Sequence, residues 1–223
     1  MALHKKHEKL LTLDGDILVV QECSREFTNQ IGRADGWSSA WFGKNRNKGL
    51  GVVVKSPWSI HEAHTLKIKW AAKLSIAGPL PIQLYPVWAC VGSRRADAYV
   101  GQVHRLLDIM EKSSLHPHTI VAGDFNSNSF WDKKDGARNH SAAVERFRKL
   151  GLESAYHAAS DVSHGAERHP TFWFTKNKKK AYHIDYAFLS RQLLSGIKRV
   201  EVGHSDNWIS FSDHAPVLVE LEL

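Results

Sequence analysis

Four carboxylates lie in or next to short apolar runs whose composition is typical of β-strands. This placement limits the possible folds more than any other feature of the sequence. Continuous apolar runs of about four to eight residues are typical of strands buried on both faces. A carboxylate at the end of such a strand is costly to desolvate unless a partner compensates its charge. The sequence therefore predicts a β-rich core that gathers acids at one edge, and the acids are Glu22, Asp124, Asp185 and Asp213.

The spacing of apolar residues predicts a mixed α/β fold. Helical spacing occurs at residues 4–13, 97–114 and 141–150, and Gly151 follows the last of these where a helix would end. Strands are predicted at 16–21, 37–42, 50–55, 66–70, 72–76, 82–91, 119–122, 171–174, 181–189 and 216–223. No repeat or linker interrupts this order, so we expect one domain over residues 1–223.

Composition narrows the class of protein. The 223 residues are 43% hydrophobic and 24% charged, which is typical of a globular protein and excludes a disordered or fibrous one. The sequence has no apolar run of about 18 residues and no signal-peptide pattern at its start, so we expect neither a membrane span nor secretion. Two cysteines, Cys23 and Cys90, are too few for a disulfide framework and favour a reduced, cytoplasmic location.

The net charge indicates an acidic partner. Lys+Arg number 30 and Asp+Glu 23, which gives +7 and a pI near 9.4. A basic excess favours association with nucleic acid, although it says nothing about the fold.

Several acids at one edge of a core repel one another unless a cation lies between them. Hard oxygen donors suit Mg²⁺ or Mn²⁺ better than zinc. Asp213 is followed by His214, and Asp185 lies two residues after His183, so acid/base chemistry near neutral pH is available. The residues taken together thus favour metal-assisted hydrolysis, whereas any one acid taken alone is more often a turn or helix N-cap residue.

Four segments occur in the order and approximate spacing of the endonuclease/exonuclease/phosphatase family. They are residues 17–22 (ILVVQE), 120–126 (IVAGDFN), 183–190 (HIDYAFLS) and 212–216 (SDHAP). The chain resembles this family, which includes deoxyribonuclease I, exonuclease III-type abasic-site endonucleases, inositol polyphosphate phosphatases and neutral sphingomyelinases. The resemblance implies a four-layer α/β sandwich, with two mixed β-sheets packed face to face between flanking helices. It also implies a metal-dependent phosphoesterase site at one end.

The resemblance implies a metal and a nucleophilic water in this site. Glu22 matches the principal Mg²⁺ ligand, and Asp213 matches a further acid beside the metal, with Mn²⁺ as the alternative ion. Asp124 matches the residue that positions or deprotonates the attacking water.

The resemblance also implies groups that contact the phosphate. Asn126 matches the residue that hydrogen-bonds the scissile phosphate, and His214 matches the His that contacts it. Asp185 matches the acid that accepts a hydrogen bond from the other ring nitrogen of that His.

Two departures from the family pattern stand out. The family begins with a strand that ends in a catalytic Asn, whereas Met1 already lies in what resembles the following helix, so we expect a shortened reading frame. Where the family has a His or Tyr that reaches the phosphate, this chain has Trp88, which packs in the core or contacts substrate. Further substrate contacts are predicted at Tyr99 and His183, with Arg94 as an alternative.

Nuclease is the first interpretation because basic runs flank the motifs, at residues 44–48, 94–95, 133–134 and 176–180. Aromatic residues near the motifs are predicted either to stack on bases or to pack in the core, namely Trp37, Trp41, Trp131, Phe172 and Trp173. The alternatives are a phosphoinositide phosphatase, a sphingomyelinase-type enzyme, and a catalytically impaired relative that binds nucleic acid. The sequence does not distinguish DNA from RNA or endonuclease from exonuclease, and a monomer is expected.

Overall fold

The computed structural model describes residues 9–91, 98–133 and 136–222, which form strands interspersed with helices. The strands are β1 Ile17–Cys23, β2 Trp37–Asn45, β3 Lys48–Lys55, β4 Ser59–Thr65, β5 Ala72–Ala77, β6 Ile82–Trp88, β7 Thr119–Asp124, β8 Leu152–Ser154, β9 Phe172–Trp173, β10 Ala181–Tyr182, β11 Asp185–Ser190, β12 Ile197–Val202 and β13 Val217–Leu221. The helices that lie wholly within these ranges are α1 Arg25–Gly32, α2 Val100–Met110, α3 His140–Lys149, α4 Ala155–Ser160, α5 Arg191–Leu194 and α6 Ser205–Trp208.

A six-stranded mixed sheet with the order β4-β5-β6-β7-β11-β8 forms the centre of the structure. Strands β6 and β7 are parallel, and the other neighbours are antiparallel. A parallel pair requires a long crossover, and α2 lies in that connection. In this register Asp124 at the end of β7 is opposite Trp88 on one side and Asp185 on the other. The sheet thus brings two of the predicted acids to one edge.

One face of the six-stranded sheet packs against α2 and α3. Tyr85, Val121 and Phe188, on three adjacent strands, share a buried cluster with Leu106 of α2 and Phe147 of α3. The rings of Phe147 and Phe188 stack with their centroids 4.3 Å apart. Burial of these aromatic and aliphatic side chains fixes the sheet against its helices.

The opposite face packs against a smaller antiparallel sheet with the order β1-β3-β2. Leu74 and Leu84 of the large sheet cluster with Val52 of β3. Helix α1 covers the outer face of the small sheet through Phe27 and Ile31. The layers run helix, small sheet, large sheet and helices, which confirms the predicted four-layer α/β sandwich.

The small-sheet layer is divided. Strands β12 and β13 form a separate antiparallel pair whose Val200 and Val219 pack with Leu189 of β11. Within the described residues β1 pairs only with β3, and β13 pairs only with β12. The mixed sheet is therefore the six-stranded one, and the facing layer consists of two antiparallel sheets.

The strand predicted at residues 66–70 is wrong, because this segment forms a turn before β5. The edge strand at this point is Ser59–Thr65, whose side chains are mostly exposed and polar, so it carries no apolar run. Helix α1 was also not predicted. It is capped by the Ser24 side chain, which accepts a hydrogen bond from the backbone N–H of Phe27 at 3.1 Å.

The predicted helix at residues 4–13 falls largely outside the described ranges, although residues 9–11 are helical. Asp97, the first residue of the helix predicted at 97–114, is also outside them, and the described helix begins after Tyr99. Among the described residues, the helices fall short of the length and apolar character that a bilayer crossing requires.

Gly123 is required directly before Asp124. Its φ is +139°, and a Cβ at this position would overlap the backbone carbonyl oxygen of Val87 on β6. Gly123→Ala is expected to lower the free energy of unfolding by more than about 3 kcal/mol, because β6 and β7 must separate.

Gly151 provides the matched control, since its φ is +75° but no heavy atom lies within 4 Å of the added Cβ. Gly151→Ala is expected to cost about 1 kcal/mol, from backbone strain alone. Urea unfolding of both variants measures the difference, and equal losses would contradict the close approach of β6 to Gly123.

Candidate active site

Asp124 is a buried carboxylate at the end of β7, only 4% exposed. Its backbone carbonyl accepts a hydrogen bond from the N–H of Ala89, which continues the pairing beyond the end of β6. Because Asp185 is its direct antiparallel neighbour on β11, two carboxylates lie side by side at this edge. The strand register alone therefore places two of the four predicted acids together.

Asn126 fixes the orientation of the Asp124 carboxylate. Its backbone N–H donates to Oδ1 of Asp124 at 2.8 Å, and its Nδ2 donates to Oδ2 at 2.6 Å. Nδ2 also donates to the carbonyl oxygen of Ala89 at 2.8 Å. The backbone of Asn126 has a φ of +46°, which Asn tolerates better than most residues. In this arrangement the amide group of Asn126 is committed to positioning Asp124.

His214 is held by Asp185. Its Nδ1 lies 2.9 Å from Oδ2 of Asp185, and the two side chains are 30% and 13% exposed. Phe172 packs its ring 4.7 Å from the His214 ring and also forms a backbone bridge with that residue. This geometry leaves the imidazole partly accessible while its Nδ1 is engaged by an acid.

Thr171 connects β11 to the His214 loop. Its hydroxyl accepts hydrogen bonds from the backbone N–H groups of Ile184 and Asp185, both at 3.0 Å. Its carbonyl oxygen accepts from the N–H of Ala215 at 2.8 Å. Sequence reasoning did not identify Thr171, because a single Thr between Pro170 and Phe172 has no recognisable pattern.

Burial and neighbouring charges determine the protonation of Asp124 and His214. Burial raises the pKa of Asp124 to about 8, and the charge of Asp185 adds to the rise while His214 opposes it. Burial alone would lower the pKa of His214, but the charge and hydrogen bond of Asp185, with the charges of Asp124 and Asp213, raise it to about 9. Near neutral pH His214 is therefore an imidazolium paired with Asp185, and Asp124 retains a proton that a nearby cation would displace.

Asp124, Asp185 and His214 each offer a ligand atom, and these three atoms lie within 4.8 Å of one another. A buried carboxylate whose pKa is raised by burial and by a neighbouring acid is stabilised as an anion by a nearby cation. The donor set therefore fits a divalent ion, and carboxylate oxygens favour a hard one.

Glu22 and Asp213 flank this group without joining it. Glu22 is the second-last residue of β1, and its φ is +57°. Its Oε1 lies 3.0 Å from Nζ of Lys48. Its charge still contributes to the raised pKa of Asp124. Asp213 is half-buried, and its carbonyl oxygen accepts a hydrogen bond from the N–H of Trp173. Both acids lie close enough to act on the site electrostatically.

The three predicted substrate contacts occupy different environments. Trp88 is 5% exposed in the core, with the ammonium group of Lys48 5.3 Å from its ring. Tyr99 is 44% exposed at the start of α2. His183 is 3% exposed, so the structure does not bring it to a face that a substrate reaches. Arg94 lies outside the described residues.

The aromatic residues divide between core and surface. Phe130, Trp131 and Phe174 are 71%, 46% and 49% exposed, whereas Trp173 is 2% exposed. Trp37 and Trp41 are partly buried against the cluster under α1. The rings of Phe130, Trp131 and Phe174 lie on two 3-10 helical turns, Ser129–Trp131 and Phe174–Lys176.

A second group of ligating side chains consists of His157, His164 and Glu167. Sequence reasoning did not find it. With 14 His in the chain, a His near an acid carries little information unless the fold shows that they meet.

Comparison with known proteins places the chain in a family. The model of the Endonuclease/Exonuclease/phosphatase family matches residues 5–214, and the chain therefore belongs to that family. No curated protein sequence matches it.

Solved structures share its fold. A 3′-5′ exonuclease from Neisseria meningitidis is 20% identical with a TM-score of 0.69, over 99% of this chain and 95% of that one. An AP endonuclease from Archaeoglobus fulgidus is 15% identical with a TM-score of 0.69, over 99% of this chain and 94% of that one. A 3′ phosphatase from Neisseria, bound to a product DNA hairpin, is 18% identical with a TM-score of 0.68, over 100% and 96%. The described sandwich is therefore the fold of these proteins.

Replacing Asp185 tests the electrostatic coupling in the site. Asp185→Asn removes the largest contribution that raises the pKa of His214, so that burial prevails and the pKa is expected to fall from about 9 to 6.5 or lower. NMR titration of the His214 ring measures the change, with the exposed His64 ring as an internal reference. A His214 pKa that stays near 9 in the variant would contradict the assigned pair.

Proposed function

We propose that this protein is a divalent-metal-dependent phosphoesterase that hydrolyses the phosphodiester backbone of nucleic acid. One observation supports the proposal above all others. Asp185 is the strand neighbour of the buried, oriented carboxylate Asp124, and it also hydrogen-bonds the imidazolium of His214. Phosphoryl transfer requires an oriented nucleophile and positive charge at the phosphate oxygens. These two groups match those requirements at one edge of the sheet.

The proposed cation is Mg²⁺, with Mn²⁺ as the substitute. The carboxylate oxygens of Asp124 and Asp185 converge, and the partly exposed Glu22 and Asp213 flank them, so the donors to this ion are oxygens. When bound, such an ion neutralises charge on the phosphoryl oxygens and lowers the pKa of a bound water. Glu22 changes partner in this proposal, because its carboxylate would leave Lys48 for the ion.

The proposed role of Asp124 is to hold and deprotonate the attacking water. Both of its oxygens accept hydrogen bonds from Asn126, which prevents the carboxylate from rotating. A carboxylate whose pKa lies near neutral pH is an effective general base. Asn126 is therefore a positioning residue here.

The proposed role of His214 is to donate a hydrogen bond from Nε2 to the phosphate. Asp185 engages Nδ1, which fixes the ring orientation and keeps the imidazolium charged. A protonated ring beside the phosphate stabilises the negative charge that develops on its oxygens.

Nucleic acid is the proposed substrate because exposed rings and cations surround this edge. Phe174 is exposed and contacts Phe172, whose ring packs against His214. The following run, residues 176–180, is basic and exposed. Exposed aromatic rings stack on bases, and basic runs track the phosphate backbone. A related structure contains a DNA hairpin, so DNA is the first substrate to test.

The cytoplasmic location, the monomeric state and the single domain stay predictions.

A hydrolysis assay in Mg²⁺ tests this function. Its substrates are labelled DNA duplexes that are intact, nicked, or carry an abasic site or a 3′-phosphate, and RNA and inositol phosphates are compared with them. Asp124→Asn and His214→Ala are each expected to lower kcat by at least ~100-fold, since each removes an acid/base or charge-stabilising group. His204→Ala is the matched control, because it removes an exposed His paired with Asp206 at 3.3 Å.

Two outcomes would contradict the proposal. Hydrolysis that survives both active-site substitutions would show that the assigned groups do not carry the chemistry. Binding of nucleic acid by the unmodified protein without any turnover would instead favour a catalytically impaired relative.

A further inference from the structure

We propose that His157, His164 and Glu167 bind a zinc ion at a second site, built from side chains that the phosphoesterase centre does not use. One ligand atom of each residue lies within 4.8 Å of the other two. His157 is on α4, and the other two residues are on the loop between α4 and β9. Two imidazoles and a carboxylate are a common donor set for zinc, whereas Mg²⁺ favours oxygen donors.

The tautomer of His157 decides how its ring meets Glu167. Nε2 of His157 lies 3.1 Å from Oε1 of Glu167, and the side chains are 9% and 5% exposed. An imidazole lone pair and a carboxylate oxygen repel each other at this distance unless a proton or a metal ion lies between them. Nδ1 of His157 lies 2.8 Å from the hydroxyl oxygen of Ser154. If that nitrogen donates to Ser154, Nε2 is free to bind a metal ion.

The ring of His164 is also held by hydrogen bonds. Its Nδ1 lies 3.2 Å from Nε2 of His140, and Nδ1 of His140 lies 3.0 Å from the hydroxyl oxygen of Ser127. When His164 donates to His140 and His140 donates to Ser127, the Nε2 atom of His164 carries a lone pair toward solvent or an ion. Buried partners that orient the ring in this way are typical of metal-binding His.

Each oxygen of Glu167 is also held in place. Oε1 accepts a hydrogen bond from the side-chain amide of Asn128 at 3.0 Å, and Oε2 accepts one from the N–H of Gly165 at 3.0 Å. A carboxylate that is held through both oxygens needs little reorientation to bind a metal ion.

The rings of His157 and His164 stack with their centroids 3.5 Å apart and 12° between their planes. A metal ion lies close to the plane of each imidazole that binds it, so the rings must tilt apart when zinc enters. His164 is the ring expected to move, because its loop neighbours Ser163 and Gly165 are exposed.

The position of the site suggests what zinc would do. Nδ2 of Asn128 lies 3.0 Å from Oε1 of Glu167, 2.9 Å from the carbonyl oxygen of His183 and 3.1 Å from the hydroxyl oxygen of Tyr186, so its two hydrogens are shared among three acceptors. His183 and Tyr186 lie on either side of Asp185 in the sequence. Zinc would therefore fix the loop against the beginning of β11, from which Asp185 holds His214. The proposed role is structural support for the active site.

Zinc binding is tested on the full chain after removal of metals by a chelator, in excess Mg²⁺ so that oxygen-rich sites are occupied. Isothermal titration with ZnCl₂ is expected to show one tight site, and X-ray absorption should show two N donors and an O donor at about 2.0–2.2 Å. His164→Ala and Glu167→Gln are each expected to weaken binding by at least ~100-fold, because each removes a ligand. The melting temperature should rise with zinc in the unmodified protein but not in His164→Ala or Glu167→Gln.

The controls separate this site from other zinc binding. His64→Ala removes an exposed His that pairs with Glu62 at 3.3 Å, and it should leave zinc affinity unchanged. His214→Ala should also leave it unchanged, since His214 belongs to the other ligating group. Circular dichroism verifies folding, and His164→Ala decides the test if Glu167→Gln does not fold. Absence of a tight site in the unmodified protein, or an unchanged affinity in His164→Ala, would overturn the proposal.

Discussion

The antiparallel register between β7 and β11 is the constraint on which the site depends, because it places the carboxylates of Asp124 and Asp185 next to each other in a largely buried position. Two adjacent buried acids repel each other, and this repulsion must be offset by neighbouring groups. The protein supplies an imidazolium from the loop before β13 and amide donors from Asn126. A divalent cation would allow Asp124, whose pKa is raised by burial and by Asp185, to ionise as well.

Strand β11 connects the two groups of ligating side chains. Its first residue, Asp185, holds His214, while the preceding His183 and the following Tyr186 accept hydrogen bonds from Asn128, which also contacts Glu167. A short series of hydrogen bonds therefore connects the His157–Glu167 contact with the beginning of β11. In the proposed function, this strand positions an acid of the active site and contacts the cluster behind it.

The sequence alone could predict β1 and β7, because each contains a continuous apolar run that leads to an acid. The single strand predicted at 181–189 is wrong in its extent: it divides into β10 and β11, which belong to different sheets, and Asp185 begins β11. The exposed edge strand β4 was missed, since its sequence SIHEAHT has no apolar run. The His157, His164 and Glu167 group could not be found either, because its members are brought together by a loop rather than by a regular spacing. Likewise, no pattern in the sequence shows that the amide of Asn126 is occupied by Asp124 and Ala89.

A crystal structure of the Asp124→Asn variant with Mg²⁺ and a short DNA duplex would test the central claim most directly. Our account predicts a phosphate group within hydrogen-bond distance of Nε2 of His214. It also predicts a metal ion between that phosphate and the acids Glu22, Asp185 and Asp213. A phosphate and ion bound on another face of the sandwich, with His214 free of both, would contradict it.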